Sequence, residues 1–168
     1  MKEHANIVRW IDTLGEVAGR TKLQKIGYIA QFFGFQVDEK YAFHLYGPYS
    51  AELTARIEEL CESAFLQEEA KVRGASIQYT YRVTEEGRAF AETFTDASSI
   101  PEDVLRALNE QSSRFLEIVA TLLYFDDLPK DERKEKVRVV KKRLDIEESE
   151  WTEAFDWIDA WKKKYKSA

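Results

Sequence analysis

The stretch FLQEEAKVRGASIQYTYRV, residues 65–83, decides the fold class. In its second half Ile77, Tyr79, Tyr81 and Val83 alternate with polar residues, the period-two pattern of a strand with one buried face. Residues 65–72 read as a partner strand, and Arg73-Gly74-Ala75-Ser76 between them is a turn, so the pair predicts a hairpin. Immediately before it, residues 51–63 predict a helix whose inner face is Leu53, Ile57, Leu60 and Cys61. Ser50 stands at its start, where a hydroxyl oxygen can accept from a free first-turn amide. Immediately after the hairpin, Thr84 caps a predicted helix over residues 85–94, with Glu85 and Glu86 placed where the macrodipole favours negative charge.

Farther upstream, residues 41–46 are aromatic enough for a short strand, and Gly47-Pro48 is a turn signal. A helix from residue 20 or 21 to residue 33 carries Leu23, Ile26, Ala30 and Phe33 on one face, widened by Tyr28, Ile29 and Phe32. A face that broad belongs at the centre of a core, and Gly34 suits its C-terminal stop. A first helix over residues 5–14 presents Ile7, Val8, Ile11 and Leu14, and Gly15 and Gly19 bracket the connector that follows. The core is predicted to gather Leu23, Ile26, Ile29, Phe33, Leu53, Ile57 and Leu60.

Helix, helix, short strand, helix and hairpin is the order of a winged helix-turn-helix module, whose third helix commonly enters the major groove while the hairpin touches backbone. A small mixed domain whose hairpin merely covers the helices is the alternative. Downstream, residues 96–101 form a turn-rich boundary, and helices are predicted over 102–109, 113–125, 130–144 and 150–165. The fold class expected is mainly α with a small β-hairpin: a winged-helix-like domain over residues 1–95, then a C-terminal helical bundle over residues 96–168.

Two motifs stand out: Thr21-Lys22-Leu23-Gln24-Lys25-Ile26 with Tyr28, and Tyr46-Gly47-Pro48-Tyr49-Ser50 with Leu53. Together they resemble the YwgA-like family of bacterial proteins, and Ala120-Thr121-Leu122-Leu123-Tyr124 extends that resemblance over most of the chain. Residues 20–60 are more distantly similar to the Panacea domain of SocA-type antitoxins. The resemblance implies a regulator-like or antitoxin-like fold. The residues themselves read as structural, because proline fixes its own φ and removes a donor, so Gly47 and Pro48 set the entry to the third helix, with Tyr46 and Tyr49 packed about the turn.

The chain has 168 residues and a formal net charge of -6. Its third helix would show Glu52, Glu58, Glu59 and Glu62 against Arg56 alone, a poor surface for phosphate, where affinity comes mostly from lysine and arginine. A local positive patch would have to come from Arg20, Lys22 and Lys25 on the second helix and from Lys71, Arg73 and Arg82 on the hairpin. Arg20, Lys22, Lys25, Arg56, Arg73 and Arg82 are therefore the candidate contacts to nucleic acid or another partner. Farther on, residues 130–143 are basic and the last helix opens acidic and closes basic, which reads as an antiparallel helix pair or as a basic surface. Trp151, Trp157, Trp161 and Tyr165 give that helix a large aromatic load, for which core packing is the default reading and, since the four exceed what one seam needs, a homodimer through the C-terminal helices the alternative.

Enzyme chemistry has no visible home. His4 and His44 are the only histidines and Cys61 the only cysteine, none at metal-ligand spacing, and no glycine-rich phosphate loop is present. No cofactor and no catalytic residue is expected. With no apolar stretch of bilayer-spanning length, a cytoplasmic setting and no membrane partner are expected. The sequence points to a non-enzymatic regulator that binds a protein, with a DNA-binding transcription regulator second and an enzyme of unrecognised type third.

Overall fold

Capping side chains fix several helix starts. Ser50 Oγ accepts from Leu53 N at 3.1 Å, Thr84 Oγ1 from Gly87 N at 3.0 Å and Ser112 Oγ from Phe115 N at 3.0 Å. In the computed structural model, which describes residues 1–45, 47–95 and 100–166, the helices are α1 (Lys2–Leu14), α2 (Arg20–Phe32), α3 (Ala51–Glu62), α4 (Glu85–Glu92), α5 (Glu102–Asn109), α6 (Ser113–Tyr124), α7 (Lys130–Val140) and α8 (Glu148–Tyr165). The strands are β1 (Val17–Ala18), β2 (Ala42–His44), β3 (Gly47–Tyr49), β4 (Leu66–Arg73) and β5 (Ser76–Val83). The protein is thus mostly helical with a small antiparallel sheet. Tyr46 and residues 96–99, most of the turn-rich boundary read from the sequence, lie outside the described residues.

The long hairpin pairs Leu66 with Val83 through to Arg73 with Ser76, and β1 adds to its other side, giving the order β1-β5-β4. β1 is missing from the sequence reading because two residues are too few to show alternation. The strand expected over residues 41–46 is corrected to a separate hairpin, in which Ala42 faces Tyr49, Phe43 faces Pro48 and His44 faces Gly47. Gly47-Pro48 is therefore the start of the returning strand and not the turn. Gly47 makes this fold-back with φ of 99°, in the region that favours glycine, and Pro48 is tolerated because an edge strand can spare the missing N–H. The helix expected over residues 130–144 ends at Val140 and gives way to a 3-10 turn, Lys142–Leu144.

The seven residues expected at the centre of the core are all buried. The core is continuous across the expected boundary: α5 packs on α1 and α2, α6 lies along α2, and α6 meets α7 and α8. Gly87 permits the close approach of α4 to β4, since a Cβ there would lie 2.1 Å from the carbonyl oxygen of Phe65. The aromatic face of α8 is absorbed inside the chain: Trp157, Trp161 and Tyr165 surround Phe33, and Tyr165 also meets Phe35. No described helix is long and apolar enough to cross a membrane.

Candidate functional site

The six candidate basic residues do not form one patch. Arg20 donates from Nε to Tyr81 Oη at 2.6 Å and from Nη2 to Glu68 at 2.8 Å, and lies over the Tyr79 ring. Lys22 donates to the Asn109 carbonyl at 2.7 Å, close to the end of α5. Arg56 pairs at 2.8 Å with Glu39, whose side chain is buried. Arg82 donates from Nε to Glu16 at 2.7 Å, and Lys25 is enclosed in the core. Arg73 stands exposed at the end of the long hairpin. On α3, Glu58, Glu59 and Glu62 are exposed, so its outer face is acidic.

The two sequence motifs meet through Gln24. Its amide accepts from Ser50 N at 2.8 Å and donates to Ser50 O at 2.9 Å and to Thr54 Oγ1 at 2.9 Å. Tyr49 Oη lies 2.8 Å from the same Thr54 hydroxyl. A side-chain amide thus satisfies the backbone at the start of α3, where buried peptide groups need partners.

One residue on from Gln24 begins a buried polar centre. Lys141 Nζ donates to the Leu45 carbonyl at 2.8 Å and pairs with Glu117 at 3.1 Å, and Arg143 pairs with the same carboxylate. Thr121 Oγ1 donates to the Glu117 carbonyl at 2.7 Å, and a Cβ on Gly47 would come within 3.3 Å of that hydroxyl. The group ties the β2–β3 hairpin to α6 and to the end of α7. Lys25 is buried beside it, with no hydrogen bond or ion pair among the described residues. Burial pushes its ammonium down to about 8, Glu117 pulling it up and Lys141 and Arg143 lowering it further. Burial also lowers Lys141, against the pull of Glu117. Sequence reasoning passed over Glu117 and Lys141. The one available signal is that Lys141 follows Val137, the buried residue of α7, by four positions, and so shares its face.

Near this centre two clefts expose apolar side chains, with Arg138, Lys142 and Asp145 at the margin of one of them. Leu45 is 71% exposed, Val139 65% and Val140 36%. A cleft of about 500 Å³ is lined by Val139 with Arg138, Lys142, Asp145, Ile146 and Trp151. A second cleft of about 390 Å³ is lined by Val140, Leu45, Phe43 and His44. The two valines are adjacent in sequence, and each lines one of the two clefts. The indole Nε1 of Trp151 is buried with no acceptor among the described residues.

Catalytic groups are sparse in this arrangement. The His44 ring lies tilted against that of Tyr49, with centroids 4.7 Å apart, and His4 lies 3.6 Å from Glu59. Burial pushes the Cys61 thiol up to about 11. Among the described residues no three His, Cys, Asp or Glu side chains gather closely enough to hold a metal ion.

No family model matches the chain. A protein of Bacillus subtilis strain 168, named uncharacterized protein YwgA, is 44% identical to it over 163 residues, which cover 97% of this chain and 98% of that protein. Identity at that level over nearly the whole of both sequences means that this chain belongs to the YwgA family.

Proposed function

We propose that the chain is a non-enzymatic, winged-helix regulatory protein of the cytoplasm that acts by binding another protein through the Val139-Val140 surface. The observation that carries this reading is the exposed pair of valines, with Leu45 beside one cleft and Arg138 and Lys142 beside the other. Exposed apolar area rimmed by polar residues is the usual mark of a protein-recognition site, and Lys142, Arg138 and Asp145 at its margin suit a partner segment with apolar anchors and charges of both signs. The winged-helix reading rests on the strand order β1-β5-β4 with α3 preceding the long hairpin. The likeness of residues 20–60 to an antitoxin domain fits the same reading.

DNA is the weaker partner because the helix that would enter a groove is acidic outside, and its Arg56 is held by Glu39. Base edges are read by Arg, Lys, Asn or Gln on such a helix. A photo-crosslinking residue at Val139 should capture one protein reproducibly in the native host, and Val140→Asp should abolish the adduct. The same residue at Glu58 should capture none. Submicromolar binding of random duplex DNA at physiological salt, lost with Arg73→Ala, would overturn this ranking in favour of DNA.

A further inference from the structure

The long hairpin leaves one edge of its sheet open. In the order β1-β5-β4, β5 has a neighbour on each side and β4 has one. Along β4 only Leu66 is buried, and Gln67, Glu68, Glu69, Ala70, Val72 and Arg73 are exposed. Arg73 faces Ser76 across the two-residue turn Gly74-Ala75. In such a hairpin the closing pair exchanges hydrogen bonds, and the alternation of an antiparallel ladder then turns the N–H and C=O of Val72, Ala70 and Glu68 outward. An exposed edge of this length is a template for another strand.

The charges along that edge are ordered, with Glu68 and Glu69 before Ala70 and Lys71 and Arg73 after it. Reversed, the strand complements itself. We propose that the chain pairs with a second copy of itself through β4, antiparallel and with the two-fold axis at Ala70, to make one six-stranded sheet. Outward groups then meet outward groups: Ala70 bonds to the partner's Ala70, and Glu68 to the partner's Val72. Glu69 falls opposite the partner's Lys71 in a pair without hydrogen bonds, the kind in which side chains approach closest. Gln67 falls opposite the partner's Arg73.

The register is selective. Sliding the second strand by two residues one way sets Glu69 against the partner's Glu69. Sliding it the other way sets Lys71 against the partner's Lys71. Like charges directly opposite are destabilising, so the register centred on Ala70 is the one that the charges favour. Lys71 is free to turn, because its present partner Glu16 lies 4.0 Å away and is also held by Arg82. Glu68 keeps its bonds to Arg20 and Tyr81 within the monomer. This contact is independent of what binds at Val139.

Sedimentation of the full chain across a concentration series tests it. The parent should form a dimer that weakens as salt is added. Lys71→Glu and Glu69→Lys should each weaken it at least about tenfold, a change of about 1.4 kcal/mol, and the two together should restore it. Ala70→Pro removes one outward N–H without touching the ladder to β5 and should leave a monomer. A parent that stays monomeric, a dimer that ignores both charge reversals, or a double variant that fails to recover would each overturn the proposal. So would a dimer that survives Ala70→Pro and is lost on substitutions in α8. Should the proline variant not fold, the charge-reversal series decides alone.

Discussion

The two hairpins of this chain are held by different means. The β2–β3 hairpin has three residues in each strand and is fixed from outside itself: Lys141 holds the Leu45 carbonyl, Thr121 crowds Gly47 and Gln24 brackets Ser50. The β4–β5 hairpin has eight residues in each strand and is held by its own ladder, with Arg20, Tyr81 and Glu68 bonded together across its face. Short strands form too few ladder bonds to stand alone, so the first hairpin exists where tertiary contacts place it. The second carries most of its pairing within its own sequence, with β1 and Arg20 adding to it. This contrast gives each hairpin a separate point of failure.

The largest effect should come from Glu117→Ala. It leaves the buried Lys141 ammonium without its carboxylate beside Lys25, and breaking a buried pair by removing one partner costs about 3–5 kcal/mol. Urea unfolding should report that loss. Amide exchange should report where it falls, with Ala42–His44 and Gly47–Tyr49 losing protection and Leu66–Arg73 keeping it. Equal deprotection of both hairpins would show that they are not independently held.

The same contrast explains what could be read from sequence. The long hairpin was legible to within two residues, because alternation at Ile77, Tyr79, Tyr81 and Val83 is a local signal produced by a half-buried face. Most helices were legible from their apolar spacing, and the seven core residues followed from it. The short hairpin reads as a single strand in sequence because the pairing of β2 with β3 is held by contacts from α6 and from the end of α7, roughly 70–100 residues away in sequence. Lys25, Glu117 and Lys141 were illegible for the same reason: a charged residue in a helix reads as solvated unless its distant partner is known. The basic candidates failed to converge because ion pairs with Glu68, Glu39 and Glu16 distribute them through the monomer. The Val139-Val140 surface is not legible in sequence either, because charge dominates the pattern of residues 130–143.

Lys25→Met should have the next largest effect, and of opposite sign. In the folded protein the Lys25 ammonium titrates near 8, against 10.5 for an ordinary lysine. Between those values the unfolded chain holds a proton that the folded chain has released, so the parent gains stability as pH rises from 8 towards 10.5. At pH 7 the penalty of burying the charge is present in full, with a ceiling of about 3 kcal/mol. Methionine fills a similar volume and has no charge to bury. The variant should therefore be about 1–3 kcal/mol more stable than the parent at pH 7, and the gap should close by about pH 10.5. Chemical denaturation at a series of pH values measures it. A variant that is less stable at pH 7 would mean that Lys25 is held by an attraction stronger than its burial.

The smallest effect should come from the end of the long hairpin. Val72 and Ile77 face one another across the ladder and are 78% and 58% exposed. Replacing both with serine, at concentrations where the chain is monomeric, removes one cross-strand apolar pair, a contribution of about 0.2–1 kcal/mol. Their exposure means that almost no buried area is lost with them, so the usual large-to-small penalty of a core site does not arise. The ladder itself is untouched, because serine retains the backbone donor and acceptor at both positions. The double variant should thus unfold at a urea midpoint close to the parent's, with an unchanged slope, since the slope follows the surface exposed on unfolding. Protection of the amides at the β2–β3 hairpin should not change at all. A loss of about 2 kcal/mol or more would show that the end of the hairpin is packed in the monomer, and the distinction between an internally held and an externally held hairpin would then fail at its simplest point.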